Sequence, residues 1–542
     1  MKQRLLLAFA ALALLPFAPA SSKPVPAKKL KGNIEFRLSF SPQASAQNIT
    51  GRMFLVISRT DSVNPRLTVG RYGTQFFGED FVNLKPSAEI VIDAGTLGYP
   101  VNEFKDIPPG DYYVQAVVSK YTEFKRSDGH TLWMHMDQWE GQSWQKSPGN
   151  LYSKVKKISI NKGGSAQVIK MVADQVIAPI AVPPDTKWVK HIKIKSEKLS
   201  KFWGQPIYIG ATILLPRNYD QNPDKHYLTI YQQGHFSLGA PFGFNEANQN
   251  AFYKDWTSAD FPEVIAVTIQ HPTPYFDDSY AVNTPNNGPY GDAIHQELIP
   301  EIEKQYRCIS EGYARALTGG STGGWESFAL QVLYPEFYGG SWAFSPDPLD
   351  FHNVEGINVY EDKNAFYKEY EWYKSPTINT RFPLTGDVRL TSQQRITMEL
   401  VNGTKGRSGG QLDIWSSVFG PVGDDGYFKP LFDEKTGAID RSVAQYWIDN
   451  WDLRVYLEKN WKTVGPKLVG KLNVYAGRMD DFFLNFGVYH MEDFLTKTTD
   501  PAFGGTFHYG ERGGHSWTPY AGSGELIKVI VADMKKRYPG KF

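Results

Sequence analysis

From Asn33 to about Val172, apolar and polar residues alternate along the chain. Ile34-Glu35-Phe36-Arg37-Leu38, the run from Arg52 to Val56 and the run from Tyr112 to Val118 each read as a strand. Pro108-Pro109-Gly110-Asp111 sets a turn before the last of these. Lys157 to Ile160 and Gln167 to Met171 are two more short strands, separated by Gly163-Gly164. No long helical period interrupts the series. Short strands with regular turns predict a β-sandwich over residues 33–176.

The texture then changes. Residues 177–189 carry Pro179, Pro183 and Pro184 and read as a linker. Beyond it, Ile207 to Leu215, Tyr227 to Tyr231 and Val264 to Ile269 are apolar strands, Ile294 to Gln305 has helical periodicity, and Ala314 to Leu317 is a short buried strand. Alternating strands and helices predict an α/β domain over 190–542 with a mostly parallel sheet. Residues from about 351 to 461 exceed what such a domain needs. This stretch holds Trp372-Tyr373, Trp415 and Trp447 and is expected to be an insertion walling a cleft or only supporting the fold.

The N-terminus has the grammar of an export signal. Lys2 and Arg4 precede the apolar run Leu5 to Leu15, and Ala18-Pro19-Ala20 forms a cleavage site before Ser21. The run is too short to span a bilayer, which takes ~20 residues. No cysteine follows it to carry a lipid. The expected order is a signal peptide (1–20), an exposed leader (21–32), and a chain that works in the periplasm or outside the cell, without a membrane anchor. The 58 basic and 57 acidic residues balance to a net charge of +1, which leaves no footprint for nucleic acid. With one cysteine, Cys308, no intramolecular disulfide and no zinc site built on two cysteines can form. The oligomeric state is not legible.

The chemistry concentrates in Arg315-Ala316-Leu317-Thr318-Gly319-Gly320-Ser321-Thr322-Gly323-Gly324-Trp325, which contains Gly-x-Ser-x-Gly between a short apolar strand and a helix. Trp325, Phe328, Ala329, Val332 and Leu333 fall on one face of that helix. Strand, sharp turn and helix make a nucleophile elbow, and its glycines let strand and helix approach. A serine hydroxyl needs a base, and in this architecture the order is Ser, acid, His. His515 sits at the tip of the Gly513-Gly514 loop, after the last strand Thr506 to Tyr509 and before a closing helix of about Gly524 to Arg537. It is preferred over His508, in a strand, His490, in a helix, and His235. The acid follows the strand Leu472 to Gly477: Asp480 is preferred, with Asp481 beside it and Asp347 or Asp350 as alternatives. The oxyanion hole is expected from the backbone N–H of Thr322 and that of His235 or Phe236, in the loop after the third strand of the sheet.

These segments resemble the putative esterase family of α/β-hydrolases, related to esterase D, feruloyl esterases and enterochelin esterase. The likeness runs from near Ile207 to the end and rests on Gly319 to Gly324, Gly477-Arg478-Met479-Asp480 and Gly513-Gly514-His515-Ser516-Trp517. It implies an α/β-hydrolase fold and the triad Ser321, Asp480, His515, with no cofactor and no metal. The family's His-Gly oxyanion pattern is replaced here by Gly234-His235-Phe236. The expected activity is cleavage of carboxylic esters, small or linked to a polysaccharide, through an acyl-enzyme. A peptidase or acyltransferase on the same triad, or a catalytically dead carbohydrate-binding protein, are the alternatives. Trp133, Trp139 and Trp144, near His135 and Asp137, read as a domain interface before a sugar platform.

Overall fold

The computed structural model describes residues 34–161 and 167–542. The expected signal peptide, the leader and the Gly163-Gly164 turn lie outside them. The N-terminal part is built on strands β1 (Ile34–Phe40), β2 (Ile49–Ser58), β3 (Gln75–Leu84), β4 (Gly110–Lys120) and β5 (Gln167–Ala173). β1 pairs in parallel with β5 in a three-stranded sheet. β2 lies between β3 and β4, antiparallel to both, in a seven-stranded sheet. Phe36 and Leu38 of β1 meet Met53 and Leu55 of β2 and Val114 and Ala116 of β4 in one core. Alternate residues point to opposite faces of a strand, so these positions form the filling of a sandwich.

Eight further strands form the central sheet: β6 (Val189–Ser196), β7 (Ile207–Leu214), β8 (Thr229–Gln233), β9 (Ile265–Gln270), β10 (Arg315–Gly320), β11 (Gly340–Phe344), β12 (Leu472–Gly477) and β13 (Thr506–Gly510). Their spatial order is β6-β7-β9-β8-β10-β11-β12-β13. β6, β7 and β9 are antiparallel neighbours, and every pairing from β9 to β13 is parallel. This is the order and mixed sense of an α/β-hydrolase sheet, as expected. β6 begins at Val189, inside the segment read as a linker.

Four helices matter for the site: α1 (Thr322–Leu333), α2 (Ser392–Asn402), α3 (Gln411–Phe419) and α4 (Ser523–Arg537). Tyr231 and Leu317 pack with Trp325 and Phe328 of α1, while Ile230 and Ala316 pack with Ile527 and Ile530 of α4. The sheet is therefore covered on both faces, which explains why β9 and β12 read as continuous apolar runs. The sequence suggests a single apolar face on α1. The structure corrects this, because the helix is buried on every side. Phe419 of α3, from the insertion, packs 5.5 Å from the Trp325 ring.

The insertion also explains why β2 is buried along its whole length. Phe54 and Val56, on the face turned away from the sandwich core, pack with Trp144 and with Met398 and Val401 of α2. Trp144 stacks on Phe54 at 3.9 Å and donates from Nε1 to Asn402 Oδ1 at 3.0 Å. Arg52 donates from Nε to the Val401 carbonyl at 3.1 Å, and Arg407 from Nη2 to Asp80 Oδ2 at 2.8 Å. Trp139 packs edge-on against Phe236 at 5.3 Å. Trp139 and Trp144 thus sit at the seam between the sandwich and the hydrolase part. Among the described residues, no helix is long and apolar enough to cross a membrane.

Candidate active site

Ser321 connects β10 to α1 with φ 58° and ψ −122°, a backbone conformation rarely adopted by a residue with a side chain. Its neighbours must be small. A Cβ on Gly323 would sit 2.2 Å from the Gln233 carbonyl oxygen and 2.8 Å from Gly234 N, and one on Gly324 would sit 2.6 Å from the Phe344 carbonyl oxygen. Gly319 is equally confined, with 2.5 Å to the Gly323 carbonyl oxygen. Gly320 is the exception, since nothing lies nearer than 3.8 Å to a Cβ there. The contacts of Gly323 press the loop after β8 onto the first turn of α1. Thr322 opens α1, where backbone N–H groups have no acceptor within the helix. Gly234, next to His235, meets that turn, but the His235 and Phe236 side chains point to other work. His235 Nδ1 lies 3.0 Å from Asp277 Oδ1 and 3.2 Å from Asp278 Oδ2, and Phe236 packs on Trp139.

His515 and Ser321 line one cavity of about 500 Å³, together with Phe344, Trp517 and Tyr520. The loop after β12 holds the imidazole from beneath. Asp480 is fully buried, and its Oδ2 lies 2.9 Å from His515 Nδ1. The other oxygen, Oδ1, accepts from Phe482 N at 2.8 Å, and Arg381 Nε donates to the Asp480 carbonyl at 3.0 Å. Asp481 plays a different part: its Oδ2 accepts from the backbone N–H of His515 at 2.7 Å, pinning the loop rather than the ring. Phe482 packs edge-on to the imidazole at 4.7 Å. Burial pulls the His515 pKa down, but the hydrogen bond and charge of Asp480, helped by Asp347 and Asp481, outweigh it and hold the value above the usual 6.5.

Asp347, one of the alternative acids, contacts the serine and not the histidine. Ser321 Oγ donates to its Oδ1 at 3.3 Å, and among the described residues the hydroxyl makes no hydrogen bond to His515 in this rotamer. Asp347 Oδ2 accepts from Thr322 Oγ1 at 3.0 Å, Gln411 Nε2 at 3.1 Å and the Tyr280 hydroxyl. Burial raises its pKa against these hydrogen bonds. Asp350, the other alternative, is engaged by Arg454 Nε at 2.5 Å and His352 Nδ1 at 2.8 Å. His508 stacks on Tyr475 at 4.9 Å, far from this chemistry in role. Burial pushes the Cys308 thiol up to about 12, which suits a packed side chain.

Two clusters bring three metal-type ligand atoms within 4.8 Å of one another: Asp350, His352 and His490, and His235, Asp277 and Asp278. In the first, the carboxylate already faces a guanidinium. In the second, burial pulls the His235 pKa down, but Asp277 and Asp278 outweigh it and hold it well above 6.5. Tyr280, Gln411, Phe482 and Arg381 carry no sequence signal of their own. They reach the site from a loop, an insertion and a strand end, and folding alone brings them there.

Residues 207–412 match the model of the Esterase family, described as Putative esterase. No curated protein matches. Among solved structures, a ferulic acid esterase aligns at 16% identity with TM-score 0.38, over 65% of this chain and 98% of its own. Fluorophosphonate-binding serine hydrolase F of Staphylococcus aureus aligns at 13% and 0.33, over 64% and 98%. An S-formylglutathione hydrolase of the same organism aligns at 11% and 0.32, over 64% and 99%. The matched segment, which contains the elbow, makes this part of the protein an esterase-type hydrolase.

Proposed function

We propose that the protein is an exported serine esterase in which Ser321, His515 and Asp480 act as a triad. The observation that carries this reading is the pairing of a strained serine elbow with a histidine held by a buried carboxylate on the wall of the same cavity. A turn of the Ser321 side chain about χ1 releases Asp347 and brings the hydroxyl towards Nε2 of His515. That nitrogen takes the hydroxyl proton as Oγ attacks the ester carbonyl. Asp480 keeps the ring proton on Nδ1 and stabilises the imidazolium. The N–H of Thr322 and a backbone N–H of the Gly234-His235-Phe236 loop receive the oxyanion, each such donor contributing about 3 kcal/mol to the transition state. The alcohol leaves with the proton from His515, and water, activated by the same ring, releases the acid.

A fluorophosphonate probe tests the reading. It should label the protein covalently, and Ser321→Ala should abolish the label without loss of fold. p-Nitrophenyl esters should turn over and peptide p-nitroanilides should not. A folded protein that resists the probe and leaves the esters intact refutes the proposal.

A further inference from the structure

The loop after β8 has little of its own to hold it. It opens with Gly234 at φ 152°, and a Cβ there would meet nothing within 4 Å. Among the described residues, the backbone N–H groups of His235 and Phe236 make no hydrogen bond. Free donors suit an oxyanion, but they stabilise it only if they are held in place before it forms. The holding falls to side chains. His235 reaches the two acids of the loop after β9, and Gln270 Nε2 of β9 donates to the Ser237 carbonyl at 2.5 Å. Phe236 is held from outside the hydrolase part, by Trp139.

Residues 135–142 of the N-terminal part are built around that tryptophan. Trp139 has φ 73°, a conformation that costs energy in a residue with a side chain and persists only where the surroundings fix it. Asp137 does the fixing. Its Oδ2 accepts from Trp139 N at 2.7 Å, and its Oδ1 accepts from Gly141 N at 2.8 Å and Gln142 N at 2.9 Å. Glu140 Oε1 lies 2.8 Å from His135 Nε2 and ties the loop back on itself. The indole is wedged between the two parts of the molecule. Lys193 Nζ of β6 lies 4.1 Å from the ring centre, a Cβ on Gly210 of β7 would sit 2.9 Å from Cζ2, and the Phe236 ring stands edge-on at 5.3 Å. Gly141 has φ 74°, and a Cβ there would sit 3.0 Å from Phe236 Cδ1. A strained backbone, three N–H groups gathered on one carboxylate and a glycine with no room for a methyl converge on one ring of the loop that carries the free donors.

We infer that Trp139 is a positioning residue for catalysis: through the Phe236 ring, the N-terminal part holds the His235 and Phe236 N–H groups in place for the oxyanion. The inference rests on the proposed esterase reading. It gives the N-terminal part a role in the rate of the reaction.

The test measures kcat and KM of the full-length protein and its variants on p-nitrophenyl acetate, each below its own melting transition. Trp139→Ala should lower kcat by about tenfold or more, part of what the loss of a whole donor costs. KM should stay within about threefold, because the interaction forms only in the transition state. Phenylboronic acid becomes tetrahedral on Ser321 Oγ and sets an oxygen where the oxyanion would lie, so its affinity should weaken by a similar factor. Trp139→Phe should regain most of kcat, since a ring again meets Phe236. Trp144→Ala loosens the same seam at Phe54 and should leave kcat within about twofold. Should Trp139→Ala fail to fold, Phe236→Leu should give the same losses from the loop side, where the ring is only half-buried. An unchanged kcat in the folded variant, an equal loss in Trp144→Ala, or a fall in kcat with boronate binding intact overturns the inference. If the unmutated protein neither turns over the ester nor binds the boronate, the esterase reading itself has failed.

Discussion

Replacing Asp480 by Asn separates the candidate acids. The side chain is fully buried, with one oxygen on Phe482 N at 2.8 Å and the other on His515 Nδ1 at 2.9 Å. Asn can keep the first bond through its amide oxygen, so the loop should hold its shape. Its NH₂ group then faces Nδ1, which must accept rather than donate. The ring proton moves to Nε2, the nitrogen that should take the proton of Ser321. The wrong tautomer lowers kcat by about 10⁴-fold where this change has been made in a serine triad. At about 1.36 kcal/mol per decade, that is about 5.4 kcal/mol of transition-state stabilisation. Asp347→Asn is the matched control. Burial already favours the uncharged form of that carboxyl, and the amide has its shape, so the loss should be less than about tenfold. Initial rates on p-nitrophenyl acetate, with circular dichroism to confirm the fold, decide between them. An Asp480→Asn protein with more than a tenth of the parent kcat, or an Asp347→Asn protein that is the more damaged, would refute the assignment.

The pH profile follows from the same pair. His515 must be neutral to act, and its pKa lies above 6.5, so kcat/KM should rise with pH through a midpoint above 6.5, and Asp480→Asn should move that midpoint down. Because the folded value exceeds the unfolded one, His515 adds stability below pH 6.5 that fades as pH rises through the folded value, measurable as a falling Tm in the parent but not in His515→Gln. Gly323→Ala should destabilise by roughly 1–3 kcal/mol or prevent folding, since a backbone carbonyl blocks the new methyl, whereas Gly320→Ala should stay within about 0.5 kcal/mol in urea unfolding. Trp144→Ala removes the stack on Phe54 and should cost about 3–5 kcal/mol, seen as a lower urea midpoint. No change in that midpoint would mean the seam does not hold the two parts together.

Local patterns were enough to reveal the elbow. Gly-x-Ser-x-Gly between an apolar strand and a helix needs only neighbours in the chain, and so does a histidine after two glycines behind the last strand. The period-two runs of β1, β2 and β4 and the apolar runs of β9 and β12 gave both the sandwich and the sheet. The choice between Asp480, Asp481 and Asp347 was not written there. All three stand just past a strand, and which oxygen reaches Nδ1 depends on how two loops 35 residues apart in sequence meet. The burial of α1 on every side and of β2 on both faces escaped for the same reason. Burial is a property of what arrives from elsewhere, here Phe419 and the pair Met398 and Val401. Arg71 is the clearest case: in the sequence it is one of 58 basic residues, and only folding brings its guanidinium over the Phe482 ring that packs on His515. Periodicity reports which side of an element is apolar, while desolvation and charge balance are set by distances across the fold.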